Sequence, residues 1–355
     1  MSARVLPQIR VGIVGAGSWA ALAHIPAALE NPDVDLVGIA DRDPVRLAET
    51  ADHYGIERRF ADHLELIAAG LDALVIATPH RSHYPIARDA LDAGLHLLIE
   101  KPLTVDATEA RELEASARAA GRIILVGYVF NHTRGGAAAH HVVDSGELGD
   151  VLLVAGLFAS PMLDYFFGRR GDEPAYVLGG PSPGTYSDPE AAGGGQAHSQ
   201  VTHALGMMLW VTGLRARRVT ALMANRGAAV DVVDAIVYEL DNGALGTMAA
   251  TGTLRLGQAE QQTLTYYGSS GTLEQDLLSG RVVVHRADGT SDEVASEISG
   301  DDAYPRDAPL RCLVRLIRGE TTNPSPLASA VAAVDLLDAA YRSASDGGRP
   351  ITIAS

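Results

Sequence analysis

Three short stretches hold residue types that could do chemistry together. They are Val11–Ala20, with the pattern Gly15-x-Gly17-x-x-Ala20; the lone acid Asp41; and the tripeptide Glu100-Lys101-Pro102. Gly15 allows a tight turn, Gly17 lets the backbone approach a pyrophosphate, and Ala20 is small enough for close helix–strand packing. Ser18 and Trp19 lie on the same turn, where a helix N-terminus turns free N–H groups and the positive end of its dipole toward phosphate oxygens. Asp41 follows at about the 20-residue spacing of an acid that accepts ribose hydroxyls. A carboxylate there repels a 2′-phosphate, so NAD is favoured, with NADP left open. Arg42 either stacks on adenine, pairs with that phosphate, or is an ordinary solvated arginine. Lys101 falls where such a pocket presents its nicotinamide.

These residues need elements to hold them. Up to about residue 127, apolar strands (9–14, 36–40, 71–78, 95–99 and 122–126) alternate with helical segments starting near Ser18, Pro44, Asp62, His83 and Asp106. Asp106 and Glu109 have the spacing of a capping box. Near-continuous apolar strands alternating with helices predict a parallel sheet covered on both faces. Ligands bind such sheets at the carboxyl ends of the strands. Thr78, Glu100-Lys101 and Gly127-Tyr128 fall at those ends and should line one crevice, joined by Pro79 and His83. His83 also starts a helix, while His80 touches either cofactor or solvent.

The pattern then changes. Strands of alternating character are read at 151–158, 219–224, 235–240, 246–252, 261–267, 271–275 and 282–285, with Asp241-Asn242-Gly243 as a hairpin turn. This predicts a mostly antiparallel sheet with one face packed on helices and the other left for water or a second subunit. The chain thus divides into a dinucleotide-binding domain, 1–127, and a substrate-binding and oligomerisation domain, 128–355, whose helix at about 325–344 packs back on the body. Residues 160–195 form a long Pro/Gly-rich loop. Phe158, Tyr165, Phe166, Phe167, Tyr176 and Tyr186 in and beside it either stack on a sugar ring or make a satellite hydrophobic cluster.

The 355 residues allow two or three domains and ample core. A net charge of −16 argues against nucleic acid or an anionic membrane as partner. No secretory leader or membrane-spanning stretch is read, which predicts a cytoplasmic location. The single cysteine, Cys312, allows no internal disulfide and lies in an apolar helical run with Leu310, Leu313, Val314, Leu316 and Ile317, as a core residue would. The adjacent His140-His141 do not share a helical face, so no metal is expected.

Taken together, these residues resemble the Gfo/Idh/MocA oxidoreductase family over nearly the whole chain. The anchors are Gly15-Ala-Gly17, Ala77-Thr78-Pro79 with His83, Ala93-Gly94-Leu95-His96 running into Glu100-Lys101-Pro102, Gly146-Glu147-Leu148-Gly149, and Gly193-Gly194-Gly195 leading to His203 and Leu209-Trp210-Val211-Thr212-Gly213. The resemblance implies a Rossmann domain, a doubly wound parallel sheet, followed by an α/β domain with a large, open, mostly antiparallel sheet that forms dimers or tetramers. It implies alcohol–ketone chemistry on a sugar or cyclitol. Lys101 would bond the reacting hydroxyl and stabilise the alkoxide, and His203 would be the acid/base. The chain departs from the family pattern where Ser199 and Gly206 stand in place of two common aspartates. Ser199 and Gln200 share a helical face with His203 and can supply polar contacts. His198 reaches the cleft only if the helix has not yet begun. Asn131 and His132, after Tyr128, stand where relatives carry an arginine, which favours an uncharged substrate. The missing carboxylate keeps an alternative open: transient oxidation followed by elimination and return of the hydride, a redox-neutral hydrolase or lyase.

Overall fold

The computed structural model describes residues 7–169 and 184–354. Its first sheet holds β1 (Ile9–Val14), β2 (Val34–Ala40), β3 (Arg59–Phe60), β4 (Ala73–Ile76), β5 (His96–Ile99) and β6 (Ile124–Val126). They are ordered β3-β2-β1-β4-β5-β6 and parallel throughout. Every residue of β4 and β6 is buried, as expected of strands covered on both faces. The expected strand 71–78 shortens at both ends to β4. β3 is only two residues long and was not foreseen. Strand order reverses at β1, so the crevice for a ligand opens above the ends of β1 and β4.

Aspartates start the helices around this sheet. Asp43, Asp62 and Asp106 accept backbone N–H bonds at the heads of the helices Pro44–Tyr54, His63–Ala68 and Ala107–Ala120, each satisfying donors that the first turn leaves free. The helix entered at Ser18 widens into a π-type turn, Ala20–His24, in which the Ile25 N–H reaches the Ala20 carbonyl, before Ile25–Glu30 continues as α-helix. Pro26 cannot donate to the preceding turn, and the widened turn accommodates that loss.

The second sheet is built from β7 (Val151–Ala159), β8 (Ala216–Ala224), β9 (Val233–Leu240), β10 (Leu245–Thr251), β11 (Gln261–Gly268), β12 (Gly271–Asp276), β13 (Val282–Arg286), β14 (Ser291–Ala295) and β15 (Ile351–Thr352). The order is β14-β13-β12-β11-β7-β10-β9-β8-β15, and only β7–β10 pair in parallel. Gly243, at φ 88°, makes the β9–β10 hairpin at the expected position. β14 and β15 are additions to the sequence reading. Helices Arg134–Asp144, Thr202–Thr212 and Leu327–Ser345 pack against this sheet, and the shared core includes Val154, Phe158, Met208, Ile236, Tyr266 and Leu336.

Two helices late in the chain also serve the first sheet. Leu310, Cys312, Leu313 and Val314 pack with Val11, Ile13, Ile25 and Leu98. In Leu327–Ser345, Val331 and Val334 join Val126 and Tyr128, while Leu336 and Leu337 join the second core. That last helix therefore fastens the two sheets together. In the 160–195 stretch, Phe166 packs with Val230 and Val232, and Tyr186 lies against them as a satellite cluster. Tyr176 lies outside the described residues. Among the described residues, no helix is long and apolar enough to cross a membrane.

Candidate active site

The glycine turn is shaped for a close-lying ligand. Gly15 has φ 99°, and a Cβ there would sit 2.3 Å from the Ala77 carbonyl oxygen, so only glycine fits. A Cβ on Gly17 would meet nothing within 4 Å, which leaves its backbone open on that side. Asp41 is fixed at the end of β2: its Oδ2 accepts from the Ala16 N–H at 2.8 Å and its Oδ1 from the Asp43 N–H at 2.8 Å. Arg46 donates to the same carboxylate from Nε at 3.1 Å and Nη2 at 3.3 Å. The arginine beside the acid is therefore Arg46 and not the sequence neighbour Arg42, which is exposed. The Asp43-capped helix turns residue 46 back over residue 41, a return that the cap signal could have revealed.

At the ends of β4 and β5 the side chains are tightly held. Trp19 Nε1 donates to Glu100 Oε1 at 2.6 Å, and His24 Nε2 lies 2.8 Å from the same oxygen. Burial alone would raise the pKa of Glu100, but His24, Lys101 and Trp19 hold it below the ordinary value. Thr78 Oγ1 accepts from Ser82 at 2.7 Å, and Pro79 is exposed. His83 spans two carbonyls, Pro102 at Nδ1 (2.8 Å) and Thr78 at Nε2 (2.9 Å), and so clamps the two strand ends together. His80 is buried against the Ala192 carbonyl, 2.8 Å from Nδ1.

Lys101 reaches out of this frame. Its Nζ donates to the Ser199 backbone carbonyl at 2.8 Å, and burial pushes its pKa down to about 8 against the opposing pull of Glu100. Ser199 lies in a second π-type turn, Ala197–Val201, directly before Thr202–Thr212. His203, one turn on, has a buried Nδ1 with no partner among the described residues. Burial and then the Lys101 charge hold its pKa well below the usual histidine value. Beside it opens a cavity of about 190 Å³ lined by Phe130, Phe158, Gln200, His203, Gln262, Leu278, Ala303 and Tyr304.

The N-terminal part of the chain, residues 9–128, matches the profile of an oxidoreductase family with an NAD-binding Rossmann fold. Residues 137–274 match the C-terminal domain of that family. The chain belongs to the Gfo/Idh/MocA family. It is similar to the dTDP-3,4-didehydro-2,6-dideoxy-alpha-D-glucose 3-reductase of Streptomyces antibioticus, at 31% identity over 44% of this chain and 47% of that protein. It is also similar to the inositol 2-dehydrogenase of Corynebacterium glutamicum (strain R), at 27% identity over 67% of this chain and 65% of that protein. The chain thus spans about half the length of the first of these curated relatives. Among solved structures, GenD2 from gentamicin A biosynthesis in complex with NAD superposes with a TM-score of 0.80 at 26% identity, covering 100% of this chain and 99% of that one.

Within the family frame, the two departures acquire physical reasons. At position 199 it is the backbone carbonyl, within the π-type turn, that meets Lys101, while the Ser199 hydroxyl is buried without a partner among the described residues. At position 206 a Cβ would lie 2.8–2.9 Å from ring carbons of Tyr128, so that ring fills the room an aspartate would need. Tyr128 is buried, with its hydroxyl 3.2 Å from Thr202 Oγ1, and burial pushes its pKa up to about 12.

Other candidates turn away from the cavity. Asn131 donates to the Pro324 carbonyl at 3.0 Å. His132 is pushed down to about 4 by burial and then by the charge of Arg311. His198 is already helical and stacks on Tyr341 at 4.4 Å, and burial pushes its pKa down to about 4. Sequence reading missed Asp231, whose carboxylate binds the Gly195 N–H (2.7 Å), the Ala197 N–H (2.8 Å) and the Tyr341 hydroxyl (2.7 Å). It thereby holds the turn that presents Ser199. It also missed Gln262 and Tyr304, more than 50 residues beyond His203 in the chain.

Proposed function

We propose that the protein is an NAD-dependent oxidoreductase that moves a hydride between the nicotinamide and a carbinol carbon of a neutral sugar, glycoside or cyclitol. The observation that carries this reading is the meeting of Lys101 with the Ser199 carbonyl, one helical turn from His203, at the strand ends facing the glycine turn. The open Gly17 backbone and the anchored Asp41 carboxylate fit a dinucleotide whose ribose bears free hydroxyls, which supports NAD over NADP.

NAD, when bound, supplies the hydride acceptor. The residues handle the proton and the oxygen. The hydroxyl proton passes to the neutral amine of Lys101, and the resulting ammonium stabilises the alkoxide until its carbinol C–H gives up the hydride and the C=O bond forms. His203, held neutral, offers the second hydrogen bond and sets which hydroxyl faces Lys101. Absorbance at 340 nm with NAD and a panel of neutral glycosides and inositols is expected to show steady NADH formation. Glycoside cleavage without NADH in the same wells would overturn the reading in favour of the redox-neutral route.

The uncovered face of the second sheet supports a homodimer or homotetramer. Leu152, Leu222, Val237, Leu245 and Tyr267 are 42–63% exposed on strands β7 to β11, and large apolar side chains grouped on one sheet mark a surface that a second subunit can cover. Light scattering is expected to give at least a dimer mass, and Val237→Glu is expected to lower it. A monomeric wild-type protein at micromolar concentration would refute the assembly.

A further inference from the structure

The cavity beside His203 holds a polar atom that the proton transfer leaves unused. Gln262 on β11 pairs directly across from Phe158 on β7, and both line the cavity. Gln262 is 6% exposed. Its Nε2 donates to Glu260 at 3.1 Å, while its Oε1 has no partner among the described residues. Because a carboxylate can only accept, the NH₂ end must face Glu260 and the carbonyl end is the uncommitted one. An unpaired buried amide oxygen costs about 1–3 kcal/mol, and a donor on a bound molecule would recover it.

The rest of the lining limits what that molecule can be. Phe130, Phe158, Leu278 and Ala303 make much of the wall, and among the described residues no Lys, Arg, Asp or Glu lines it. A phosphate or carboxylate would lose its water here without gaining a counter-charge. A hydroxyl set against the four apolar side chains would likewise lose its water bonds. At about 190 Å³ the cavity is smaller than a pocket for a drug-sized ligand, which runs to roughly 300–1,000 Å³.

We propose that this cavity is the subsite for a single uncharged pyranose-sized ring carrying an apolar position, deoxygenated or O-alkylated, with Gln262 Oε1 accepting a hydrogen bond from one ring hydroxyl. The assignment rests on the sugar-oxidoreductase reading above and adds the residue and the substituent pattern that select the sugar. Phe130 closes the same wall, edge-on to His203 at 5.6 Å and to Tyr304 at 5.1 Å, so the apolar surface runs up to the proposed reacting end.

The test uses the full chain loaded with NADH, titrated calorimetrically with methyl 6-deoxy-α-D-glucopyranoside, methyl α-D-glucopyranoside and methyl α-D-glucopyranosiduronate. The 6-deoxy glycoside is expected to bind at least threefold more tightly than the 6-hydroxy compound, and the uronate at least 100-fold more weakly. Gln262→Leu is expected to weaken the 6-deoxy glycoside about tenfold and leave NADH affinity unchanged. Should that variant not fold, Ala303→Leu, which fills the cavity from another wall, is expected to block the same binding. Uronate binding equal to the neutral glycosides, no binding by any of the three, or a Gln262→Leu effect under twofold would overturn the subsite. NAD reduction by the same sugars is followed separately. Binding without reduction would count against the oxidoreductase reading while leaving the subsite standing.

Discussion

Lys101→Met is expected to lower kcat for sugar oxidation by roughly 10²–10⁴-fold, the range for losing a positioned proton acceptor, while NAD affinity changes little. Methionine keeps the length and apolar body of the lysine but removes the amine that bonds the Ser199 carbonyl at 2.8 Å. The pH profile is the sharper reading. Burial places the Lys101 pKa at about 8, so the neutral amine that accepts a proton dominates above that pH and the ammonium below it. Oxidation should therefore rise through pH 7–9 with a midpoint near 8, and ketone reduction, which needs the ammonium, should fall over the same window. His203 adds no limb there, because burial and Lys101 keep it neutral. Stopped-flow hydride transfer in both directions checks this. A rising limb that survives in Lys101→Met would assign the proton to another group.

How much of this was legible in the sequence depended on the range of the interaction. Five of the six strands of the first sheet could be read, because strands buried on both faces are continuous apolar runs, whereas β3 is two residues with no such run. Asp43, Asp62 and Asp106 mark helix starts through bonds only two or three residues long. The glycine turn was legible for the same local reason. Asp231 was not, since it acts on Gly195, Ala197 and Tyr341, up to 110 residues away in the chain. Gln262 was hidden likewise, because only the pairing of β11 with β7 brings it beside Phe158. Ser199 shows a different limit. Its side chain was the expected contributor, but a widened turn hands Lys101 the backbone carbonyl, which every residue type possesses and no motif records. Asn131 and His132 were read by position in a motif, and tertiary packing turned one toward Pro324 and set the other near Arg311.

Gly206→Asp, which restores the acid common in the family, is expected to destabilise the protein by about 3 kcal/mol or more, from overpacking together with the burial of an unpaired carboxylate. The new Cβ would stand 2.8–2.9 Å from the Tyr128 ring. That ring is 2% exposed and packed in the core that holds Val331 and Val334, so it cannot swing aside without opening that core or breaking its contact with Thr202. Gly206→Ala separates the two causes: it keeps the clash and omits the charge, and should show the steric part alone. Tyr128→Ala makes room for the new side chain, so the double variant Tyr128→Ala/Gly206→Asp should lose less than the sum of the singles, with a coupling of about 1–3 kcal/mol. Urea unfolding of these four variants and the wild-type protein measures all of these terms. Strict additivity would mean that Tyr128 and position 206 do not compete for the same space. Coupling would mean that the Tyr128 ring and a side chain at position 206 compete for one space, so that the lack of an acid one turn from His203 is a property of the packing as well as of the residue at 206.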